Sequence, residues 1–349
     1  MAFRDTSDLH YWDADDDETL RRLRARFPRW RMWRGTNEHM QPAGWHASRL
    51  QAISDDAAEQ GLQQTVDAAT AAGLTELLDE QEWLYRLTVG QRLDIRVPNI
   101  ARMYDYFLGG KDNFHIDRIC AERVREHAPE VFVMAQENRA FLGRAVRYLA
   151  AEAGIDQFLD VGAGLPTQEN VHQVAQKINP AARTVYVDHD PVVLTHARAL
   201  LATDDHTWAI RQDVRAPEKI LTAVDALGLL DLSRPVGVLL VAVLHFVTDA
   251  EDPYGIVATV MEALPAGSYL VVSHVEERPG LREAAAQYRD ANAPVTLRTA
   301  EEIGRMFDGL ALVDPGVVQV SDWRPDDPFC PVLDEDRRKW VCGGVGRKP

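Results

Sequence analysis

The chain has 349 residues, 46% of them hydrophobic, so it is long and apolar enough for one large domain with a buried core and a smaller appendage. Its 54 acidic and 38 basic residues leave a formal net charge of −16, which disfavours a nucleic-acid substrate. Three widely spaced cysteines, Cys120, Cys330 and Cys342, indicate a reduced protein with neither a disulfide framework nor a zinc site. The N-terminus shows no apolar leader and no run of about 18 apolar residues follows, which predicts a cytoplasmic protein without membrane contact.

The first 85 residues predict a small, tryptophan-rich α+β module made of a helix, a hairpin and a second helix. Apolar spacing and alternation place its elements at 20–27 (helix), 30–34 and 45–50 (strands) and 55–78 (a long helical pattern broken near Gly61 and Gly73). The sequence leaves the role of this module open. Homo-oligomerisation or a partner protein would be expected to use it.

Arginines and tryptophans cluster in this module, and the cluster has two interpretations. Such side chains stack on bases in proteins that bind single-stranded nucleic acid. Alternatively, the tryptophans form the core of the module while Arg21, Arg22, Arg24 and Arg26 make a solvated face. We favour the second interpretation, because the acidic run at 13–18 weakens any attraction for phosphate.

Residues 86–349 alternate between strand and helix patterns, which predicts βαβ units and a parallel sheet. The strand patterns lie at 157–161, 184–188, 207–211, 236–243 and 268–275, and the helical patterns between them at 168–178, 191–202, 217–227 and 253–264. Two final strands, at 310–320 and 339–346, are expected to pair antiparallel. The prediction is an α/β fold with a seven-stranded, mostly parallel, Rossmann-like sheet and helices on both faces.

The most informative motif is Phe158-Leu159-Asp160-Val161-Gly162-Ala163-Gly164, an apolar strand that ends in an acid and two glycines. Glycines at these positions let the backbone turn tightly and approach a ligand closely. The dinucleotide fingerprint requires a third glycine where this chain has Thr167. The motif therefore predicts a nucleotide-type turn that departs from the NAD pattern.

Two further strands also end in acids, at Asp188, 24 residues after Gly164, and at Asp213. The carboxyl ends of parallel strands meet at one edge, where α/β proteins bind ligands. Asp188 is placed to bind ribose hydroxyls, and Asp213 with the backbone amide of Val214 is placed to bind adenine. Each acid alone also fits a turn or a helix cap, but the ordered set favours a ligand site. An acidic edge suits S-adenosylmethionine, which has two cationic groups and no phosphate, better than NAD.

Together with these features, several motifs resemble the actinobacterial S-adenosylmethionine-dependent methyltransferases that were once classed only as a domain of unknown function. The motifs are PNIARMYDYFLGGKDNF at 98–114, FLDVGAGLP at 158–166, YVDHDP at 186–191, LHFV at 244–247, AGSYL at 266–270 and SH at 273–274. The resemblance covers about residues 90–347. It implies a class I methyltransferase fold and S-adenosylmethionine as the methyl donor, but it implies no acceptor.

In such a protein, Asp160 and the backbone around Gly162 and Gly164 would face the methionine part of the donor. The segment at 98–114 is interpreted as part of a lid spanning 86–135. Arg102 would then pair with the carboxylate of the donor, and the ring of Tyr104 or Tyr106 would lie against the sulfonium.

The alternative for this segment is a helix that ends at Gly109-Gly110 and packs on the sheet with its polar residues in solvent.

His245 follows the fourth strand of the second domain, at the edge where the acceptor is expected. Its ordinary pKa, near 6.5, makes it a candidate general base. The alternative is a packed histidine that caps the next helix. His274 and Glu276, after the fifth strand, are weaker candidates for the same role.

Three functions remain open from the sequence. The leading one is a methyltransferase that acts on a small molecule. The second is a non-catalytic S-adenosylmethionine sensor whose N-terminal module contacts a partner, and the third is an NAD-dependent oxidoreductase. A usable acceptor pocket beside His245 distinguishes the first from the second, whereas Thr167 and the acidic third strand end count against the third.

Overall fold

The structure is a computed structural model, and it describes residues 14–36, 42–50, 52–53, 58, 61–88, 97–166, 169–200, 205–326 and 340–349. Thr167 and Cys330, which entered the sequence interpretation, lie outside these ranges. The chain divides into two compact units, Met1–Arg96 and Val97–Pro349.

The first unit is a three-stranded antiparallel sheet with two helices. Its elements are α1 (Ala14–Arg26), β1 (Trp30–Thr36), β2 (Pro42–Arg49), β3 (Thr65–Ala68) and α2 (Ala71–Thr88), with strand order β1-β2-β3. The third strand corrects the helical pattern predicted at 55–78. Here Val66 is buried while Thr65 and Asp67 are exposed, which is the two-residue period of a strand, and this segment pairs with β2.

The core of the first unit contains two of its tryptophans. Trp30 and Trp45 are buried together with side chains from both helices and all three strands: Leu20, Leu23, Phe27, Met32, Ala47, Val66, Leu74 and Leu78. Trp33 is 39% exposed and stacks on His46, with 5.6 Å between ring centroids. The four arginines predicted to form a solvated face are all exposed.

The second unit contains an eight-stranded sheet. Its strands are β4 (Gln157–Val161), β5 (Arg183–Asp188), β6 (Thr207–Arg211), β7 (Gly237–Val241), β8 (Tyr269–Val275), β9 (Ala311–Leu312), β10 (Val318–Gln319) and β11 (Val341–Arg347). The order is β10-β11-β8-β7-β4-β5-β6, and β9 also pairs with β11. The strands from β4 to β8 pair parallel, and β11 runs antiparallel to β8. The predicted mostly parallel α/β sheet is confirmed.

Nine helices accompany this sheet within the described residues of the second unit. They are α3 (Ile100–Phe107), α4 (His115–His127), α5 (Val131–Ala151), α6 (Val171–Ile178), α7 (Pro191–Leu200), α8 (Pro217–Ala226), α9 (Pro253–Glu262), α10 (Leu281–Ala286) and α11 (Ala300–Gly304). In this part of the chain, no helix is long and apolar enough to cross a membrane.

Alternate residues of the central strands belong to two different hydrophobic clusters. Phe158 and Tyr186 pack in one cluster with side chains of α5 and α6, whereas Leu159 and Val185 pack in the other with side chains of α8 and α9. Since successive strand residues point to opposite faces, helices cover the sheet on both sides. Both faces are therefore buried, as the continuous apolar runs of these strands predict.

The strand predicted at 310–320 is wrong as a single element. The structure has two strands of two residues there, β9 and β10, which pair with different ends of β11. Pro315 lies between them and lacks a backbone N–H, and Gly316 has a φ of 91°, a conformation that other residues rarely adopt. The chain leaves the sheet at this turn and rejoins it at Val318.

Candidate functional site

A cavity of about 780 Å³ lies where the parallel strands β4 and β5 end. We call it the strand-edge cavity. Its sheet side includes Asp160, Gly162, Gly164, Asp188 and Asp190, and its other side includes Asn99, Ile100, Ala101, Tyr104, Asn138 and Arg139. The structure therefore brings together, at one cavity, both glycines and two of the three acids that the sequence singled out.

Glycine is required at positions 162 and 164 for different structural reasons. Gly162 has a φ of 77°, and a β-carbon there would come within 2.4 Å of Val243 Cγ2. Gly164 has a φ of 64° and has no neighbour within 4 Å of an added β-carbon. Gly162 thus allows two chain segments to pack closely, whereas Gly164 leaves open space beside the strand end.

Asp188 organises the turn that closes this edge. Its carboxylate accepts hydrogen bonds from the backbone N–H groups of Gly164 (3.0 Å) and Asp190 (2.9 Å). Burial raises the pKa of Asp188, although these two hydrogen bonds oppose the shift. The acid is therefore a turn former, as the simpler interpretation held, and it also lines the cavity.

Asp160 is the most strongly perturbed carboxylate of the cavity. Burial raises its pKa to about 7, with Arg139 opposing the shift and Asp188 adding to it. A carboxyl group in such a position is costly to ionise unless a cation neutralises it. The position of Asp160 therefore suits a ligand that carries a positive charge.

Arg139 is a site residue that the sequence interpretation missed. Among the described residues that line the strand-edge cavity, it is the only lysine or arginine. Its guanidinium donates to Asn170 Oδ1 at 2.9 Å. The available signal was the polar run Glu137-Asn138-Arg139 inside α5, a helix that is otherwise largely apolar. The cavity is therefore lined by acidic groups, at Asp160, Asp188 and Asp190, and by one basic group, at Arg139.

The structure does not bring Arg102 to this cavity. Its guanidinium lies in a buried ion pair with Asp117, with Nε 2.8 Å from Oδ2, and it donates to the carbonyl of Val97 at 2.9 Å. The Arg102 side chain is 2% exposed and lies over the ring of Phe114. Pairing with a ligand carboxylate is thus corrected to an ion pair that joins α3 to α4.

Tyr106 also points away from the strand-edge cavity, because its hydroxyl donates to Glu122 at 2.6 Å. Ile100 and Tyr104, four residues apart on one face of α3, line the cavity instead. Tyr106 lies two residues beyond Tyr104, about 200° around the helix. Of the two tyrosines considered from the sequence, Tyr104 faces the strand-edge cavity and Tyr106 does not.

Asn99 fixes the start of this helix. Its side-chain oxygen accepts from the backbone N–H groups of Ala101 and Arg102, and its amide donates to Asp190. Gly109 ends the helix with a φ of 78°. The segment is therefore a capped helix with a glycine end, as in the alternative interpretation, but Arg102 and Asp105 are buried rather than in solvent, and its inner face forms a cavity wall.

Asp213 and Val214 do not line the strand-edge cavity. Asp213 follows β6, the next strand along the edge, and accepts hydrogen bonds from the backbone N–H and the Nε of Arg215, both at 2.9 Å. A contact between these two residues and adenine stays a prediction.

A second cavity, of about 740 Å³, adjoins the first, and we call it the apolar cavity. Five residues line both cavities: Ile100, Tyr104, Asn138, Ala242 and Phe246. Hydrogen bonds fix this boundary. Asn138 donates to the Tyr104 hydroxyl at 2.9 Å, and its carbonyl oxygen accepts from the Ser273 hydroxyl at 2.6 Å, which in turn accepts from the N–H of Ala242.

His245 lines the apolar cavity and is 6% exposed. Its Nδ1 has no hydrogen-bond partner among the described residues. Burial, together with the nearby His274 and Arg298, holds the pKa of His245 well below its usual range. The ring is therefore neutral at pH 7 and is a weaker base than an ordinary histidine.

His274 and Glu276, the weaker candidates, line neither cavity. The two ring nitrogens of His274 lie 2.7 Å from the carbonyl of Val275 and 2.8 Å from a guanidinium nitrogen of Arg298. Glu276 accepts hydrogen bonds from Arg278 and Gln319. Both side chains are thus occupied by structural contacts.

Comparisons with known proteins show what this chain is similar to. A family model described as S-adenosyl methyltransferase matches residues 87–349. A crystal structure of a protein from domain-of-unknown-function family 574 of Streptomyces avermitilis is 41% identical, covers 73% of this chain and 99% of its own, and has a TM-score of 0.70. A candidate methyltransferase from Thermobifida fusca is 46% identical, covers 73% and 96%, and has a TM-score of 0.69. A search of curated proteins gives no match.

Proposed function

Because the chain belongs to the S-adenosyl methyltransferase family, we propose that it binds S-adenosylmethionine in the strand-edge cavity and methylates a small molecule held in the apolar cavity. The observation that carries this proposal is the shared wall between the two cavities. A donor site that is rich in charged groups meets an apolar pocket at Tyr104, Asn138 and Phe246.

The residues of the strand-edge cavity fit the groups of the donor. The buried carboxyl of Asp160 suits the ammonium, Arg139 suits the carboxylate, and Asp188 has lone pairs left for ribose hydroxyls. Asp213 and Val214 are proposed to reach the adenine from the neighbouring strand end. When bound, S-adenosylmethionine supplies a methyl group that is already activated by the positive sulfur.

The protein's own part in the reaction is mainly alignment in a dry cavity. Phe246 and Tyr104 present aromatic rings at the boundary where the reacting atoms would meet. Because burial disfavours the protonated form of His245, we propose that this side chain hydrogen-bonds the acceptor rather than removing a proton from it. Within the segment predicted as a lid, 86–135, α3 lines both cavities, whereas Val124 of α4 and Val131 of α5 line the apolar cavity.

The two other functions are less well supported. A sensor without catalysis would be expected to fill the space beside His245, but the apolar cavity lies there. An NAD enzyme would place two phosphates beside Asp160, Asp188 and Asp190, where like charges repel.

Calorimetric titration of the protein tests the donor. S-adenosylmethionine and S-adenosylhomocysteine should bind, and NAD should not. Replacing Asp188 by alanine is expected to weaken S-adenosylmethionine binding by about 1–3 kcal/mol, since it removes the ribose acceptor and loosens the turn at Gly164. The control is Asp231→Ala, an exposed aspartate in the loop that precedes β7, at the opposite edge of the sheet. Tighter binding of NAD, or unchanged affinity in the Asp188 variant, would contradict the assignment.

A further inference from the structure

The lining of the apolar cavity contains no charged side chain. Among the described residues that form it, none is aspartate, glutamate, lysine or arginine. Four side chains carry polar atoms, Tyr104, Asn138, His245 and Tyr288, and Met134 contributes a thioether. The remaining walls are aliphatic or aromatic: Ile100, Phe107, Val124, Ala128, Val131, Ala135, Ala242, Phe246, Val275, Leu281, Ala284, Ala285, Val295, Leu297 and Val341.

The polar lining groups are neutral at pH 7. Burial raises the pKa of Tyr104 and of Tyr288, so both phenols keep their protons. The amide of Asn138 cannot ionise, and it is held by Tyr104 and the Ser273 hydroxyl. His245 is uncharged as well, for the reasons given above. The cavity therefore offers dipoles but no counter-ion.

One buried polar atom of this lining stands out among the described residues. His245 Nδ1 is buried and has no hydrogen-bond partner among the described residues. A buried nitrogen of this kind is costly to leave unpaired, by about 1–3 kcal/mol, so an occupant that pairs with it gains binding energy. By contrast, Tyr104 and Asn138 already bond to each other, and they form the wall toward the strand-edge cavity.

The absence of a counter-ion decides between classes of occupant. A carboxylate, phosphate or ammonium would lose its hydration here and gain no partner of opposite charge, which costs several kcal/mol. An apolar body gains about 25 cal/mol for each Å² that it buries. A mostly apolar lining with a few polar groups is typical of pockets that bind small organic molecules.

From this lining we infer that the methyl acceptor is a neutral, largely apolar small molecule that hydrogen-bonds His245 through a polar group. The inference rests on the proposed function, because it assumes that the strand-edge cavity holds the donor. It excludes charged metabolites such as amino acids, carboxylic acids and sugar phosphates as acceptors.

One end of the apolar cavity lies close to solvent. Ala285, Val295 and Leu297 also line a surface groove that carries Arg282, Glu277 and Arg289. These three apolar residues are half-buried, and they separate the groove from the interior. The acceptor would therefore pass from a charged surface into an uncharged interior at this point, and a charge added at Val295 would change what the interior accepts.

Three naphthalene probes of similar size test the inference on the full chain at pH 7 with saturating S-adenosylhomocysteine. They are 2-naphthol (neutral), 2-naphthoate (anionic) and 2-naphthylmethylammonium (cationic). Calorimetry is expected to show that 2-naphthol binds about tenfold or more tightly than either ion. Equal or tighter binding of an ion would overturn the inference. So would the absence of binding by all three probes to a protein that binds S-adenosylhomocysteine.

Val295→Arg with its matched control Val295→Met provides a second arm. The arginine supplies the counter-ion that the lining lacks, so 2-naphthoate should bind about tenfold more tightly than it does to the parent. The methionine variant, of similar length and uncharged, should keep the parental ranking. An arginine variant that still rejects 2-naphthoate would overturn the charge argument. Failure of S-adenosylhomocysteine to bind would overturn the proposed function instead, and the probes titrated without it would still report the class of occupant.

Discussion

Replacing Asp160 by asparagine is expected to stabilise the ligand-free protein above pH 7 while weakening S-adenosylmethionine binding on the order of 100-fold. Both effects follow from one buried carboxyl group, whose pKa is raised to about 7 by burial. In the unfolded chain the same group has an ordinary pKa near 3.9. The folded protein therefore binds this proton more tightly than the unfolded chain does.

The sign of the pH dependence follows from that difference. The contribution of Asp160 to the free energy of unfolding is complete below about pH 4, falls as the pH rises, and is lost above about pH 7. The loss amounts to roughly 2–4 kcal/mol. Asparagine cannot ionise, so the free energy of unfolding of the variant should increase relative to that of the parent across this pH range. Above the range the difference should stay constant. Denaturant unfolding between pH 4 and 8 measures the difference.

Binding should change in the opposite direction. In the proposed site the ammonium of S-adenosylmethionine pairs with the ionised form of Asp160, so the affinity of the parent is expected to rise with pH up to about 7 and to level off above it. The asparagine variant should bind weakly at every pH. Asp156→Asn, in the turn just before β4 and paired with Arg234, is the matched control and should change neither property appreciably. Equal stability of the parent and the Asp160 variant at pH 8 would show that ionising the buried carboxyl does not destabilise the folded protein.

Features fixed by short sequence motifs could be predicted from the sequence. The strands β4 to β8 are apolar runs ended by acids or turns, and their alternation with helices predicts parallel pairing. Asp160, Gly162, Gly164 and Asp188 lie at the ends of such strands, so the sheet brings them to one cavity without further information.

Features that depend on how a helix docks could not be predicted. The helix α3 carries Tyr104 on one side and Arg102 and Tyr106, four residues apart, on another, and only packing decides that Tyr104 faces the cavity. Arg139 lies in a helix whose apolar spacing hides which polar residue turns inward. The polar character of these side chains did not show which of them faces the cavity.

The N-terminal strand β3 was missed for a related reason. A run of four residues is too short for its two-residue alternation to outweigh the helical pattern around it. The strand forms because β2 offers an unpaired edge. Similarly, β9 and β10 are defined by their pairing with β11 rather than by their own residues.

Alanine substitutions at Gly162 and Gly164, in the same turn, are expected to have different effects. The first should mainly lower the free energy of unfolding, and the second should mainly weaken the binding of S-adenosylmethionine. Both glycines have positive φ values, 77° and 64°, so each substitution costs about 1 kcal/mol of backbone strain. At Gly162 the new β-carbon also lies 2.4 Å from Val243 Cγ2 and 2.7 Å from Val243 Cβ, and the two segments must move apart. Gly162→Ala should therefore lower the free energy of unfolding by about 2–4 kcal/mol in total.

Gly164→Ala meets no such neighbour and should lose only the strain of about 1 kcal/mol. Its methyl group would instead enter the open space of the strand-edge cavity, beside the N–H that Asp188 accepts from. We expect this variant to have nearly the parental free energy of unfolding but to bind S-adenosylmethionine at least about tenfold more weakly. Denaturant unfolding and calorimetry on the two variants decide the matter. If Gly164→Ala bound S-adenosylmethionine as tightly as the parent, the donor would not approach the turn, because the only change at that position is a methyl group placed where the donor is proposed to lie.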